Sequence, residues 1–355
     1  MKILFASNNG YLPQFSGGVQ SNTDYLARSL KDAGHRPAVL AELFAEGLFG
    51  FRSRIKLKLS RTKFIEDNLY GYPVYRAWSP SEAIADLIKH EAPDVVVAQC
   101  HGSVKIAREF QKYDIPVVLY FHNVEFDELE GNPLSLKGGR FISNSGFTRD
   151  RYRQAFGIDS VVIPPIIDRS AYEVSSTEDF VTFINPVAKK GLPIVLEIAR
   201  ALPDIPFLIV ESWTLTDTQL ADLSAHLKYL PNVTFRRRTD DMRDIYSQTK
   251  ILLAPSLWEE AWGRVVSEAH CSGIPVIGSC RGGLPEAIGP GGMILDPSAP
   301  IPVWAKAVSD LWSDNQLYRQ TAAAAKRYSE RPELNASQQS ALLLSILNQA
   351  ASVPA

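Results

Sequence analysis

Two glutamates, Glu260 and Glu268, stand eight positions apart in the segment Pro255-Ser256-Leu257-Trp258-Glu259-Glu260-Ala261-Trp262-Gly263-Arg264-Val265-Val266-Ser267-Glu268-Ala269. The pattern predicts a strand that ends near Pro255, a polar and aromatic loop, and a helix that begins around Gly263. The first N–H groups of such a helix, at Gly263, Arg264, Val265 and Val266, have no partner within it and suit an anionic diphosphate. A glutamate reaching out from the helix can accept two hydrogen bonds from a vicinal diol such as a ribose. Glu260, in the loop, can do the same for sugar hydroxyls.

Other residues at predicted strand ends extend this chemistry. Lys190-Gly191 follows a strand and precedes a helix from Leu192. An ammonium there would lie over a diphosphate and stabilise the charge that develops on a leaving nucleotide. Gly17-Gly18 lies between the first strand and a helix from about Val19. Paired glycines permit close backbone approach and φ above zero, at a helix start that again offers N–H groups to an anion. His122 ends another strand, where a neutral imidazole could donate to a sugar hydroxyl. His101 occupies an analogous place and reads as a packing residue, and His35 only follows a helix end.

A different signal comes from Arg52, Arg54, Lys56, Lys58, Arg61 and Lys63, six cations in twelve residues with no acid among them. Ile55, Leu57 and Leu59 alternate with the charges. Such a run could dock on anionic lipid, embrace a phosphorylated acceptor, or form a solvated ribbon or mobile loop.

The elements that must hold these residues alternate along the chain. Predicted strands cover residues 2–7, 37–43, 74–78, 94–100, 116–122, 141–145 and 160–164, with amphipathic stretches at 19–34, 81–91, 103–111 and 146–155. After Pro165 the pattern restarts, with strands at 180–184, 207–211, 233–236, 251–255 and 275–278. Apolar strands joined by helices imply parallel sheets covered on both faces. Two doubly wound α/β halves are expected, parted where Pro164-Pro165 excludes regular structure, with a last helix from Pro332 to about Gln349. In open parallel sheets ligands bind beyond the carboxyl ends of the strands, where these candidate residues fall.

The spacing of Glu260 and Glu268 resembles the E-x7-E segment of family 4 retaining glycosyltransferases (glycosyl transferases group 1). The run Gly273-Ile274-Pro275-Val276-Ile277, then Gly282-Gly283-Leu284-Pro285-Glu286, is similar to that family's GxPVI…GGxPE stretch. Gly17-Gly18-Val19, His122, Asp168 and Lys190-Gly191 match in the same order. The resemblance implies a GT-B fold: two Rossmann-like domains facing across a cleft. It implies an acceptor-binding domain over residues 1–165, a nucleotide-sugar domain over 166–331, and a C-terminal helix over 332–355 that can pack back on the first domain.

It further implies that Glu260, Lys190 and His122 serve catalysis. Donor binding would fall to Glu268, Gly17, Gly18, Asn185 and the residues from Gly263 to Val266. Asn185 is a departure, because it stands where the family has an arginine and brings no charge to the diphosphate. A UDP-sugar is the favoured donor and a GDP-sugar the second choice. The acceptor would be a saccharide, a lipid-linked molecule or a small metabolite, as in polysaccharide biosynthesis. The rival expectations are a nucleotide-sugar epimerase of the same fold and a non-catalytic relative that binds sugar nucleotides.

Composition sets outer bounds. The 355 residues suffice for two domains, and 45% hydrophobic with 21% charged residues is an ordinary globular balance. A formal charge of −2 gives no reason to expect nucleic acid. Three cysteines without metal-site spacing point away from zinc or a disulfide framework. No Asp-x-Asp stands at a predicted strand end, so no metal and no cofactor is expected. The start, MKILFASNN, lacks signal-peptide features, and no run approaches membrane-span length. A cytoplasmic protein is expected, with contact at the inner membrane face left open through residues 52–63.

Overall fold

The computed structural model describes residues 1–352. These divide into two units, one of Met1–Ile166 plus the chain from Asn335 on, the other of Ile167–Leu334.

The first unit runs β1 (Lys2–Gly10), α1 (Gly18–Asp32), β2 (Arg36–Glu42), α2 (Gly47–Leu59), β3 (Phe64–Asp67), β4 (Val74–Ala77), α3 (Pro80–Glu91), β5 (Val95–Gln99), α4 (Ser103–Gln111), β6 (Val117–Phe121), β7 (Arg140–Ser143), α5 (Gly146–Phe156) and β8 (Val161–Val162). Its strands form one sheet in the order β3-β4-β2-β1-β5-β6-β7-β8, parallel except for β3 against β4. Every residue of β5, VVVAQ, and of β6, VVLYF, is buried, because helices cover both faces.

The second unit runs β9 (Phe180–Ile184), α6 (Leu192–Ala201), β10 (Phe207–Val210), α7 (Asp217–Leu227), β11 (Val233–Arg236), α8 (Arg243–Tyr246), β12 (Thr249–Ala254), α9 (Arg264–Cys271), β13 (Val276–Ser279), α10 (Leu284–Ile288), β14 (Gly292–Leu295), α11 (Ile301–Ser313) and α12 (Asn315–Ser329). Its sheet is parallel throughout, in the order β11-β10-β9-β12-β13-β14. The chain then returns to the first unit as α13 (Ala336–Ala351), whose Leu343, Ile346, Leu347 and Ala350 join a core with Ile3, Phe5, Leu26 and Val97.

Strand order fixes where loops converge. In the first sheet the order reverses between β1 and β5, and in the second between β9 and β12. At each reversal neighbouring loops diverge to opposite faces and leave a crevice beyond the strand ends.

Three local expectations need correction. The predicted strand at 160–164 shrinks to Val161–Val162, since Pro164 and Pro165 offer no N–H to a ladder. Strands β3 and β14 are additional, each only four residues long. The basic stretch is helical as far as Leu59, the end of α2, rather than a ribbon, and only Arg61 and Lys63 lie beyond it: the helical period is set from Leu48 and Phe51 onward, upstream of the alternating Ile55, Leu57 and Leu59.

Candidate functional site

The second unit gathers most of the candidate residues at the β9/β12 reversal. Asn185 follows β9 with φ of +72°, a left-handed turn that asparagine tolerates better than most residues. Its N–H donates to the Val210 carbonyl at 2.8 Å, and its Oδ1 accepts from the Trp213 N–H at 3.4 Å. The side chain is buried and carries no charge, and its oxygen serves the backbone after β10.

From Asn185 a short 3₁₀ turn, Ala188–Lys190, leads to Gly191. Gly191 has φ of +93°, and a Cβ there would stand 2.1 Å from the Pro255 carbonyl oxygen. Only glycine lets the loop after β9 press so closely on the loop after β12. The Lys189 carbonyl accepts from the N–H groups of Leu257 and Trp258, at 3.0 and 3.1 Å. This contact brings Lys190 Nζ to 2.5 Å from Glu260 Oε1, both side chains being more than four-fifths buried. Lys189 Nζ lies 3.6 Å from the centre of the Trp258 ring and 4.7 Å from that of Trp213, a cation–π arrangement.

Glu260 is held from a second side as well. Gly282, with φ of +62°, passes so near that a Cβ would meet the Glu260 carbonyl oxygen at 2.1 Å. The Gly283 N–H donates to that same oxygen at 2.6 Å. The glycine pair is thus a clamp on the Glu260 loop.

Gly263, with φ of +92°, is the N-cap of α9 and brings no side chain to the first N–H groups of Arg264 and Val265. The N–H of Val266 already donates to the Gly263 carbonyl at 3.0 Å. Glu268 is the fifth residue of α9 and is buried. Its Oε2 accepts from the Tyr246 hydroxyl at 3.0 Å, and Arg264 Nε stands 3.3 Å from Oε1. Burial, with Glu268 adjacent, pushes the Tyr246 hydroxyl well above its ordinary pKa, so it remains a donor. Nearby, the buried Glu211 accepts from the Leu215 N–H at 2.9 Å and pairs with Arg237 at 3.0 Å.

In the first unit, His122 follows β6 and is buried. Its Nε2 lies 3.2 Å from Gln99 Oε1, while Gln99 Nε2 donates to Thr23 Oγ1 at 2.8 Å. Burial pushes the imidazole down to about 3, so it is neutral. With the amide oxygen of Gln99 turned to Nε2, that nitrogen carries the proton and is already engaged, so Nδ1 is the ring's acceptor rather than the donor the sequence led one to expect. His101 pairs instead with Glu130 at 3.0 Å. Gly17 is the N-cap of α1 with φ of −165°, ordinary extended backbone, and Gly18 opens the helix. Neither takes the positive φ expected of the pair, because the turn after β1 is made upstream, at residues 12–14. Asp168 caps a turn by accepting from the Ser170 N–H at 3.0 Å.

The structure therefore brings Lys190, Glu260, Asn185, Gly263 and the start of α9 with Glu268 to one sheet edge, and places His122, Gly17 and Gly18 in the other unit. Sequence reasoning missed Tyr246, Trp213 and Glu211, which act through partners 22 or more residues away or lie at a strand end that carries no motif. The clamp role of Gly282-Gly283 had a signal, the doubled glycine, but nothing that named what it touches.

Residues 16–171 match Glycosyltransferase Family 4, and residues 167–328 match Glycosyl transferases group 1. The chain belongs to the family 4, group 1 glycosyltransferases. Among curated proteins it is 29% identical over 164 residues to spore coat protein SA of Bacillus subtilis, an alignment covering 42% of this chain and 44% of that protein. It is 27% identical over 176 residues to a D-inositol 3-phosphate glycosyltransferase of Mycolicibacterium vanbaalenii, covering 44% of this chain and 39% of that protein. The chain thus spans less than half the length of these curated relatives.

Solved structures extend the likeness to the whole fold. A glycosyltransferase of Rickettsia africae superposes with a TM-score of 0.79 at 19% identity, over 99% of this chain and 98% of that one. Anabaena HepE in complex with UDP-glucose gives the same score and identity over 98% of this chain and 100% of its own. The fold is the α/β, two-domain GT-B fold.

Proposed function

We propose that this protein is a retaining glycosyltransferase that moves a sugar from a nucleotide-sugar donor, a UDP-sugar by preference, to an acceptor hydroxyl. The observation that carries this reading is the Lys190–Glu260 ion pair at the β9/β12 reversal, beside an α9 start with no side-chain cap. In a family whose relatives include a protein crystallised with UDP-glucose, those groups fit a donor's diphosphate and sugar.

As the bond between anomeric carbon and diphosphate oxygen breaks, negative charge builds on the departing nucleotide. The Lys190 ammonium and the N–H groups of Arg264 and Val265 stabilise it where it appears, in place already when the donor binds. Glu260 commits Oε1 to Lys190 and so both fixes the ammonium and offers Oε2 to sugar hydroxyls. Glu268, oriented by Tyr246 and Arg264, accepts from the ribose diol. His122, neutral and with Nδ1 available as an acceptor, receives a hydrogen bond from a sugar hydroxyl. The acceptor hydroxyl attacks from the face the nucleotide leaves, and its proton passes to the departing phosphate oxygen, so the anomeric configuration is kept. Asn185 adds no charge, which leaves Lys190 the main cation for the diphosphate.

The test is nucleotide release from a panel of UDP- and GDP-sugars, with and without saccharide acceptors. Release with one or two donors, lowered by about 10²–10³-fold in Lys190→Ala, supports the reading. Interconversion of the donor's sugar without release would make the protein an epimerase, and no turnover of any donor would contradict catalysis.

A further inference from the structure

From helix α2 we infer that this chain docks on anionic lipid bilayers. The inference goes beyond the proposed transfer reaction and does not rest on it.

The helix has an inner and an outer apolar side. On the inner side, Gly50 and Ser53 are buried and Phe49 and Leu57 are half-buried. Gly50 sits so close to the preceding loop that a Cβ would stand 2.5 Å from the Phe44 carbonyl oxygen, and Phe49 lies under the Arg76 guanidinium at 4.8 Å. These contacts seat the helix and fix which face turns outward.

The outer face holds Leu48, Phe51, Ile55 and Leu59, spaced three, four and four residues apart and so aligned along one stripe. Their exposures are 80%, 60%, 47% and 81%. Single exposed apolar residues are commonplace, but four in line on one helix are not. Trp78, 48% exposed, stands beside the helix with the Arg54 guanidinium 6.0 Å from its ring centre. An indole of this kind favours the boundary between water and lipid.

Charge decides the occupant. Arg52 and Lys56 flank one side of the stripe, Arg54 and Lys58 the other, and Arg61 and Lys63 follow its end, all six exposed. The acids beside this region are Glu46, at the N-cap of α2, Glu82, which meets Lys63 at 4.0 Å, and Asp86, whose Oδ2 accepts from the Lys63 N–H at 3.0 Å; all of them lie at the ends of the stretch, none along the stripe. An apolar stripe bordered on both sides by cations matches a layer of acyl chains beneath anionic headgroups. A protein partner matching it would need an apolar ridge with acids on both margins.

Co-sedimentation of the full chain with phosphatidylcholine vesicles, with and without roughly one-third phosphatidylglycerol, tests the inference. The protein should pellet with the anionic vesicles only, less so as salt rises, and Trp78 fluorescence should shift to the blue. Phe51→Glu with Ile55→Glu, and separately Arg52→Ser with Lys56→Ser, should each lower the partition coefficient by roughly tenfold or more. All four side chains are exposed, so the circular dichroism and melting of both variants should match the parent. Failure to bind anionic vesicles at low salt, or binding unchanged in both variants, overturns the inference. So does self-association abolished by the glutamate pair, which would assign the stripe to a second copy. Displacement by inorganic phosphate, but not by chloride of equal ionic strength, would assign the cations to a soluble phosphate and overturn it as well.

Discussion

His122 and His270 show at the scale of single residues how burial settles protonation. Both are pushed down to about 3, by burial above all, and both are neutral in the fold at neutral pH. In the unfolded chain a histidine titrates near 6.5, so below that pH the unfolded state binds more protons and stability falls as pH falls. The window runs from about pH 6.5 down to about 3, and each histidine should cost about 2 kcal/mol of stability by pH 5. Melting followed from pH 7.5 to 5.0 should therefore slope downward, and more gently in His270→Gln, whose second unit has lost one such group. An unchanged slope would show that His270 is protonated in the fold. None of this was visible in the sequence, where His270 drew no notice and His122 was placed without Gln99, the residue that decides which ring nitrogen carries the proton.

At the scale of elements, glycines separate by what their backbone requires. Gly17 and Gly282 both belong to doubled glycines, yet only Gly282 needs its freedom. Alanine at 282 must adopt φ of +62° and push its Cβ into the Glu260 carbonyl, whereas alanine at 17 keeps extended backbone and meets side-chain atoms alone, the amide oxygen of Gln20 at 3.0 Å and the Phe15 ring at 3.8 Å. Gly282→Ala should cost about 1–3 kcal/mol and lower the melting temperature of its unit by roughly 3–10 °C, with weaker donor binding as the Glu260 loop shifts. Gly17→Ala should stay within about 1 kcal/mol of the parent. Differential calorimetry of the two variants checks this, and equal destabilisation would refute the clamp.

The same contrast explains what the sequence could disclose. Strand cores such as Val95–Gln99 and Val117–Phe121 announce themselves by unbroken apolar runs. The helix α2 hides because its cations alternate with apolar residues over a few positions and imitate a period of two. Edge strands of four residues, like β3 and β14, lack the length to show any period.

At the scale of the whole molecule, the alternation of strands and helices was enough to expect two parallel α/β sheets, since each such unit repeats one pattern. Strand order was not legible, and it is the order that puts the Lys190 loop beside the Glu260 loop across seventy residues. Motif spacing could place Glu268 on a helix, but not Tyr246 against it, because that contact joins α8 to α9. Whether these residues assemble a donor site is decided by calorimetric titration of UDP into the full chain. UDP should bind the parent saturably, about tenfold more weakly in Tyr246→Phe, which frees Glu268 from its orienting hydroxyl, and more weakly still in Glu268→Ala. Binding of equal strength in all three proteins, or none to the parent for UDP and GDP alike, would contradict it.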